Sequence, residues 1–252
     1  METLFTGRHI ITLSEVASTN TYAMQLLREK DLTEGTLIWA EHQTQGRGQL
    51  GNVWQAEKGK NLTFSLVMHP VFMKVKQQFN LSKITALAVL GTLTEFLPAS
   101  QYDIQIKWPN DILVKGEKIA GILIENLVAD SHLQSSVVGV GLNVNQEQFG
   151  SFGRAATSLR VLLQKSIDPG LILERFCKHF EALYLSLRQG RAAHIDKQYL
   201  LNLYRFELNA VYRANEKLFE GAICGVSETG LLQVRMAGGE MREFNFKEIE
   251  FT

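Results

Sequence analysis

The stretch that most constrains the fold covers residues 107–125, where a proline interrupts a β-strand pattern shortly before a tight turn. Pro109 has no amide hydrogen and biases the residue before it towards extended geometry, so the strand must bend or pause there. The apolar residues 112–114 resume the strand, and residues 119–124, rich in β-branched side chains, return from a hairpin turn at 115–118. The stretch therefore predicts a β-sheet organised around this hairpin.

Charged and amide side chains are concentrated around the hairpin, at Lys107, Asn110, Asp111 and Lys118. Lysines supply positive charge, while asparagine and aspartate favour turns and can bind backbone amides. Such a group is suited to holding an anion. The alternative is an ordinary hairpin whose charged side chains only face water.

A glycine-rich loop lies upstream, within residues 41–54, and follows residues 35–41, which have the pattern of a buried strand. Gly46 and Gly48 allow the backbone to come close to a ligand, and Arg47 offers a fork of donors to a carboxylate or phosphate. The glycine spacing matches a dinucleotide-binding loop, but no helix opens after it, and no Gly-Lys-Ser/Thr of a Walker loop follows. Two interpretations remain: a ligand-binding loop that is mobile without ligand, or a flexible linker.

Helical and strand patterns are mixed along the rest of the main segment, which indicates an α+β fold. Helices are expected after Ser18, from residue 81 or 82 to Pro98, and after the Asp168-Pro169 cap. A further strand is predicted at residues 136–144, and its glycines suggest close approach by a ligand or by other backbone.

The pattern changes near the C-terminus, where short strands separated by tight turns follow one another from Leu208. Such a run is typical of a small β-barrel or SH3-like module. We place the boundary near Arg205, which divides the chain into a larger domain at residues 1–204 and a smaller one at residues 205–252.

Composition excludes several classes of protein. Lys and Arg together number 26, as do Asp and Glu, so no overall basic field favours nucleic acid. The spacing of Cys177 and Cys224 is not that of metal ligands, and these two cysteines are typical of a protein in a reducing compartment. The first residues lack the apolar run of a signal peptide, and no segment is long and apolar enough to span a bilayer. We therefore expect a cytoplasmic protein.

Five segments of the chain resemble the motifs of biotin protein ligases, and they occur in that family's order. They are Ser18-Thr19-Asn20, Gly46-Arg47-Gly48 with Trp54, residues 107–111, Lys118 with residues 121–125, and residues 139–143. The resemblance runs over residues 11–145, and the C-terminal segment resembles the family's SH3-like domain more loosely. It implies an α+β fold in which helices pack on a mixed β-sheet, as in class II aminoacyl-tRNA synthetases and biotin ligases.

The resemblance implies a two-step ligase reaction that uses ATP and Mg²⁺. Biotin is activated as biotinyl-5′-adenylate with release of pyrophosphate, and is then transferred to a lysine of a biotin carboxyl carrier protein domain, as in biotin–[acetyl-CoA-carboxylase] ligases. The implied partners are biotin, ATP and the carrier domain, with no nucleic acid and no membrane. The chain begins shortly before its first predicted strand, so we expect the monofunctional class, which lacks an N-terminal DNA-binding domain.

Site residues follow from the matching motifs. The resemblance implies that Lys118 and Arg47 are the catalytic cations, and it leaves the metal ligands unknown. It assigns biotin contacts to Ser18, Thr19, Asn20, Gln43, Arg47, Gly48, Gln49, Lys118 and Gly121. It assigns ATP or adenylate contacts to Gly46, Trp54, Lys107, Asn110 and Asn143.

The chain departs from the family pattern in the glycine-rich loop. Gln49, Leu50 and Asn52 stand where familiar members have arginines. Less positive charge near the adenylate leaves open how tightly the intermediate is retained. The carrier's identity and the choice between a monomer and a homodimer are also left open.

Two other functions compete with this interpretation. A lipoate or octanoate ligase or transferase shares the fold class and a similarly placed lysine, but it would need a long apolar tunnel. Polar groups such as Ser18, Thr19 and Gln43 at the head of the pocket favour biotin instead. A non-catalytic binding module or transcriptional regulator would need a basic recognition helix, which the balanced charge opposes.

Overall fold

The computed structural model describes residues 2–150 and 155–252, without the side chain of Leu50. Two β-sheets with helices packed against the larger one make up this part of the chain, so the predicted α+β class is confirmed. In the described residues, no helix is both long enough and apolar enough to cross a membrane.

The larger sheet has seven strands in the order β1-β2-β3-β7-β6-β5-β4. The strands β1 and β2 are parallel, and all other neighbours are antiparallel, so the sheet is mixed as expected. The strands are β1 Ile10–Leu13, β2 Leu37–Ala40, β3 Leu62–Met68, β4 Ile104–Lys107, β5 Asp111–Val114, β6 Glu117–Ala129 and β7 His132–Leu142.

Five α-helices occur in the described part: α1 Thr19–Glu29, α2 Phe79–Phe96, α3 Leu159–Leu163, α4 Pro169–Arg188 and α5 Ala192–Leu201. Helix α1 covers one face of the sheet, where Ala23 packs with Ile38 and Val67. The other face packs on α2 and α4, which contribute Ile84 and Phe176 to the main core. Because neighbouring strand residues point to opposite faces, each face has its own apolar set.

The smaller sheet has five antiparallel strands in the order β11-β10-β9-β8-β12. They are β8 Asn209–Ala214, β9 Lys217–Val226, β10 Leu232–Met236, β11 Met241–Phe244 and β12 Glu250–Phe251. Trp108 joins the two sheets, because its Nε1 donates to Gly230 O at 2.9 Å and its ring lies 5.2 Å from that of Phe246.

The central hairpin forms as predicted, but its turn is shorter than expected. The turn consists of Lys115 and Gly116, with φ of 51° and 81°, and β6 begins at Glu117. Two positive φ values match the right-handed twist of the flanking strands, which explains the tight connection. Lys118 therefore lies within a strand and not in the turn.

Other boundaries also differ from the sequence expectation. Helix α2 begins at Phe79, directly after a short 3-10 helix, Val75–Gln77, and its N-cap residue Gln78 makes no side-chain capping hydrogen bond. Strand β7 begins at His132 because it pairs with β6 along most of its length. The short strand β12 was not predicted.

Candidate functional site

A cavity of about 210 Å³ lies where several loops and strand ends of the larger sheet meet. Its walls come from the start of α1, the loop after β2, the turn between β4 and β5, and parts of β3, β6 and β7. Lys247, from the turn between β11 and β12, completes the lining. The cavity therefore joins segments that are far apart in the sequence.

Buried polar groups at the start of α1 form one end of the cavity. Ser18 is the N-cap of the helix, and Ser18, Thr19 and Asn20 are each 3% exposed. Thr19 donates from its backbone N at 2.8 Å and from Oγ1 at 3.0 Å to Oε1 of Gln43. The parallel pairing of β1 and β2 continues as a bridge between Val16 and Gln43, which brings this glutamine to the helix start.

Ser65 extends this polar cluster from the middle of the buried strand β3. Its Oγ lies 2.6 Å from Asn20 Oδ1 and 2.8 Å from Thr19 Oγ1. Asn20 Nδ2 donates to Leu123 O at 3.1 Å and to Glu125 Oε2 at 3.0 Å. Ser65 was not among the predicted site residues, although a serine in the middle of an apolar strand is a signal that could have identified it.

Bare backbone forms the floor of the cavity. Gly121 pairs with Gly141 across β6 and β7, and Gly139 lies two residues before Gly141. A methyl group at Gly139 would overlap Asn20 Oδ1, and one at Gly141 would overlap the ring of Trp54. Glycines in this strand were expected to mark close approach by a ligand or by backbone, but the side chains of Asn20 and Trp54 are what approach them.

Lys118 contributes one cation to the cavity. Its Nζ lies 2.6 Å from Asp111 Oδ1 and 5.7 Å from the ring centre of Trp54. Its backbone pairs with β5 on one side, after a register irregularity, and bridges Ala156 on the other. The backbone is therefore held on both sides, and Asp111 orients the side chain. Asp111 was recognised in the motif, but its pairing with Lys118 was not predicted.

Arg47 contributes a second cation from the glycine-rich loop. Its Nη1 lies 3.1 Å from Glu125 Oε1 and 3.3 Å from Thr21 Oγ1. The loop closes on itself, because Gly48 N donates to Asn52 O at 2.7 Å and Trp54 N donates to Gly46 O at 2.9 Å. Because Glu125 also accepts from Asn20, the loop and the polar end of the cavity share one carboxylate.

Most of the predicted site residues line this cavity. They are Ser18, Thr19, Asn20, Gln43, Arg47, Gly48, Gln49, Trp54, Asn110, Lys118 and Gly121. The amide of Asn110 also donates to Ile122 O at 2.8 Å, which ties the turn to β6.

Three predicted residues are placed elsewhere. Lys107 Nζ lies 4.8 Å from the ring centre of Phe251, in the smaller sheet. Asn143 is buried, and its amide donates to Thr157 O at 3.0 Å. Gly46 contacts Trp54 through its backbone and does not line the cavity.

Metal binding finds limited support in the described part of the chain. Residues 2–150 and 155–252 contain no group of three or more His, Cys, Asp or Glu side chains that could hold a metal ion. Asp111 lines the cavity and offers a carboxylate to a cation that a ligand brings with it.

The cavity combines neutral and charged groups. Thr19, Gln43 and Asn20 supply neutral donors and acceptors. Arg47 lies beside them through the shared Glu125, and Lys118 is held by Asp111. A ligand with a polar, uncharged head and a negatively charged tail matches this arrangement.

The amino-acid sequence is similar to a known protein family and to several known proteins. The sequence model described as the biotin/lipoate A/B protein ligase family matches residues 13–143. The bifunctional ligase/repressor BirA of Bacillus subtilis is 30% identical over 235 residues, which cover 92% of this chain and 71% of that protein. The biotin–[acetyl-CoA-carboxylase] ligase of Paracoccus denitrificans is 28% identical over 232 residues, which cover 90% of this chain and 94% of that protein.

A solved structure is also similar. The biotin protein ligase from Aquifex aeolicus, in complex with biotin and ATP, superposes with a TM-score of 0.79 at 24% identity. The match covers 96% of this chain and 98% of that one, and it shows that the two chains share a fold.

Proposed function

The chain belongs to the biotin/lipoate A/B protein ligase family, and we propose that it is an ATP-dependent biotin–protein ligase. It activates biotin as biotinyl-5′-adenylate and then transfers the biotinyl group to a lysine of a biotin carboxyl carrier protein domain. Relatives named biotin–[acetyl-CoA-carboxylase] ligases support this reaction. The cytoplasm, where carrier and ATP would both be available, is the proposed location.

The observation that carries the proposal is the polar end of the cavity. A ureido ring has one carbonyl and two N–H groups, and each needs a partner when it is buried. The cluster of Thr19, Asn20 and Gln43 offers donors and acceptors within one wall. The head of an octanoyl or lipoyl group makes no such hydrogen bonds, so this wall opposes the lipoate alternative.

We propose that Lys118 and Arg47, which both line the cavity, serve the first step. A carboxylate oxygen of biotin attacks the α-phosphorus of ATP, the bond to the bridging oxygen breaks, and pyrophosphate leaves. Negative charge accumulates on the phosphoryl oxygens, and fixed cations stabilise it. Asp111 and Glu125 hold the two side chains at the cavity before the anions arrive, so little reorganisation is needed.

Mg²⁺ is expected to accompany ATP in this reaction. It commonly binds through one or two carboxylates together with substrate phosphates and water. Asp111, which lines the cavity beside Lys118, fits the role of the protein carboxylate. When bound, the ion would neutralise part of the charge on the leaving pyrophosphate.

In the second step an amine must reach the mixed anhydride while water is kept away from it. The carrier's lysine amine attacks the carbonyl carbon of the mixed anhydride, and AMP leaves with the electrons of the broken C–O bond. Trp54 and Arg47 belong to the loop that borders the cavity, so the loop is placed to cover the anhydride. We propose that it excludes water until the carrier docks.

Mass spectrometry of the purified protein with biotin and Mg·ATP tests the proposal. We expect bound biotinyl-adenylate, together with ATP–pyrophosphate exchange that depends on biotin. Octanoate and lipoate, added separately at the same concentration, serve as the matched controls and should support little exchange. A larger exchange rate with either of them than with biotin would reject the biotin assignment.

A further inference from the structure

Glu125 connects two parts of the site, although it was not predicted as a site residue. It lies on β6, next to the cavity floor. Its Oε1 lies 3.1 Å from Nη1 of Arg47 in the glycine-rich loop, and its Oε2 accepts a hydrogen bond from Nδ2 of Asn20 at 3.0 Å. One carboxylate thus joins the loop to the buried polar cluster at the start of α1.

The side-chain amide of Asn20 is engaged by the protein itself. An asparagine amide has two N–H hydrogens and one acceptor oxygen. Besides Glu125, Nδ2 donates to Leu123 O at 3.1 Å, and Oδ1 accepts from Ser65 Oγ at 2.6 Å. The carboxylate and the carbonyl can only accept, so the amide nitrogen must face them. Both hydrogens are therefore used within the protein, which leaves a ligand only the second lone pair of Oδ1.

Burial makes the arrangement around Asn20 rigid. Asn20 and Ser65 are both buried, and Ser65 lies in the middle of β3. A methyl group at Gly139 would overlap Oδ1 of Asn20, so the glycine leaves room for the amide. If the amide turned away, buried polar groups would lose their partners, which is costly. Asn20 therefore holds the carboxylate of Glu125 in one position.

The held carboxylate fixes one nitrogen of Arg47. Nη1 contacts Glu125 and also lies 3.3 Å from Thr21 Oγ1. Among the residues that the structure describes, Nη2 and Nε of Arg47 have no hydrogen-bond acceptor. A guanidinium is a planar fork, so anchoring one nitrogen sets the direction of the other two. Because Arg47 lines the cavity, these two nitrogens are donors that an anion can use there.

Stability does not explain the contact between Arg47 and Glu125. The two side chains are 50% and 26% exposed, and ion pairs with such exposure add little to the free energy of unfolding. A buried amide is nevertheless committed to orienting this carboxylate. The arrangement therefore points to the orientation of Arg47 as its purpose.

We propose that Glu125 is a positioning residue for Arg47. Held by Asn20, it keeps the glycine-rich loop against β6 and directs the remaining donors of Arg47 before an anion arrives. Donors that are oriented in advance need little reorganisation when charge develops in the first step. The inference deepens the proposed function and rests on it.

Glu125→Gln tests the position of the loop without any ligand. Glutamine keeps the size of the side chain but loses the charge that attracts Arg47. Chymotrypsin, which cleaves after tryptophan, should cut at Trp54 about threefold faster than in the unmodified protein, as expected for the loss of one exposed ion pair. When Arg47→Ala is already present, Glu125→Gln should add nothing, because the partner of Glu125 is gone.

Biotin-dependent ATP–pyrophosphate exchange is the second measurement. Glu125→Gln should lower kcat by the same factor of about three, because fewer molecules hold Arg47 in place. The KM for ATP should stay unchanged or fall, because a negative charge near the anion has been removed. A general loss of structure would not separate kcat from KM in this way. In the Arg47→Ala background, Glu125→Gln should leave kcat as it is.

Glu117→Gln is the matched control, because Glu117 lies at the start of the same strand and does not line the cavity. Its loop cleavage and its exchange should equal those of the unmodified protein. Glu125→Asp keeps the charge but withdraws it by one methylene group, so it should give smaller changes in the same direction. It replaces Glu125→Gln if the circular dichroism spectrum of that variant shows a lost fold.

Two results would overturn the inference. One is unchanged loop cleavage in both Glu125→Gln and Glu125→Asp. The other is a fall in kcat that is as large in the Arg47→Ala background as in the unmodified one, because Glu125 would then act independently of Arg47. Absence of biotin-dependent exchange in the unmodified protein would refute the proposed function itself. Loop cleavage is measured without ligand, so the two failures are distinguishable.

Discussion

Lys118 and Asp111 show how one residue pair prepares the cavity for an anion. The carboxylate oxygen lies 2.6 Å from the ammonium nitrogen, and both side chains are partly exposed. An exposed pair of this kind adds little to the free energy of unfolding. We propose that the pair instead orients Lys118 towards the cavity, where an incoming carboxylate or phosphate can share the cation.

Lys118→Ala should lower biotin-dependent ATP–pyrophosphate exchange by about 10²–10³, the range found when one fixed donor to a developing charge is removed. The circular dichroism spectrum should stay unchanged. Lys115→Gly is the control on the same hairpin, because glycine tolerates the φ of 51° at that position. Near-normal exchange in Lys118→Ala would remove this lysine from the mechanism.

For Gln43, which lines the cavity beside Thr19, we propose a separate role as a biotin contact. Gln43→Ala removes the oxygen that accepts hydrogen bonds from Thr19 N and Oγ1. It also removes one wall of the proposed ureido site. The KM for biotin should rise more than the KM for ATP, by a factor that corresponds to about 1–3 kcal/mol of lost pairing. Gln25→Ala, on the exposed side of α1, is the control. Equal changes in both KM values would contradict a specific biotin contact.

At the scale of elements, the glycine-rich loop is the part expected to move. Its hairpin is closed by backbone hydrogen bonds, and Arg47 links it to Glu125 on β6. A bound anion can favour the closed loop only if it binds that state more tightly than the open one. We propose that Arg47 provides this difference in affinity between the closed and the open loop. Its charge lies where the loop meets β6 and can contact the ligand there.

The Arg47→Ala variant should release biotinyl-adenylate faster than the unmodified protein does. It should also biotinylate bystander lysines to a greater extent. Gln49→Arg should act in the opposite direction, because it returns a positive charge to the loop. The measurements are the rate of adenylate release and proteolysis of the loop with and without biotin and ATP. Equal proteolysis in the two conditions would show that ligand does not order the loop.

A second element-scale contact fixes the N-terminal segment to α4. The buried Glu181 accepts hydrogen bonds from the backbone N of Leu4, Phe5 and Thr6 at 2.7, 2.8 and 3.0 Å. Burial raises the pKa of this carboxyl, but the three hydrogen bonds outweigh burial, so its pKa is lowered from the ordinary value of 4.5. The ionised carboxylate therefore stabilises the folded protein.

Glu181→Gln should lower the free energy of unfolding at pH 7 by about 1–3 kcal/mol, because one amide cannot replace both oxygens of the carboxylate. A lowered pKa gives stability that is present above 4.5 and lost as the pH falls through the folded value. The difference between the two proteins should thus shrink in acid. Urea unfolding at pH 7 and near pH 4 checks this, and a constant difference would contradict it.

At the scale of the whole molecule, the two sheets share one apolar core. Residues from both sheets, such as Phe64 and Tyr212, belong to the same buried cluster. Backbone hydrogen bonds also join β4 to the segment after α5, because Ile106 N donates to Asn202 O and Tyr204 N donates to Ile106 O, each at 2.8 Å. The boundary near Arg205 thus stays a prediction about the chain's organisation.

Much of this molecule follows from short-range patterns. The cap at Ser18, the Asp168-Pro169 start of α4 and the central hairpin were all predictable, because each depends on sterics and hydrogen bonds within a few residues. The family was also predictable, because its motifs are short stretches of sequence. Most residues of those motifs line one cavity, because strand pairing in the larger sheet brings the motifs together.

The partners of the charged groups were decided only by the tertiary structure. Glu125 meets Arg47, and Lys247 reaches the cavity, because strand register and sheet packing bring distant segments together. Lys107 turns to Phe251, although its neighbours in sequence line the cavity. A long side chain can point in several directions from the same backbone, and what packs beside it selects one. Sequence determined which residues were candidates for the site, and packing decided which of them line the cavity.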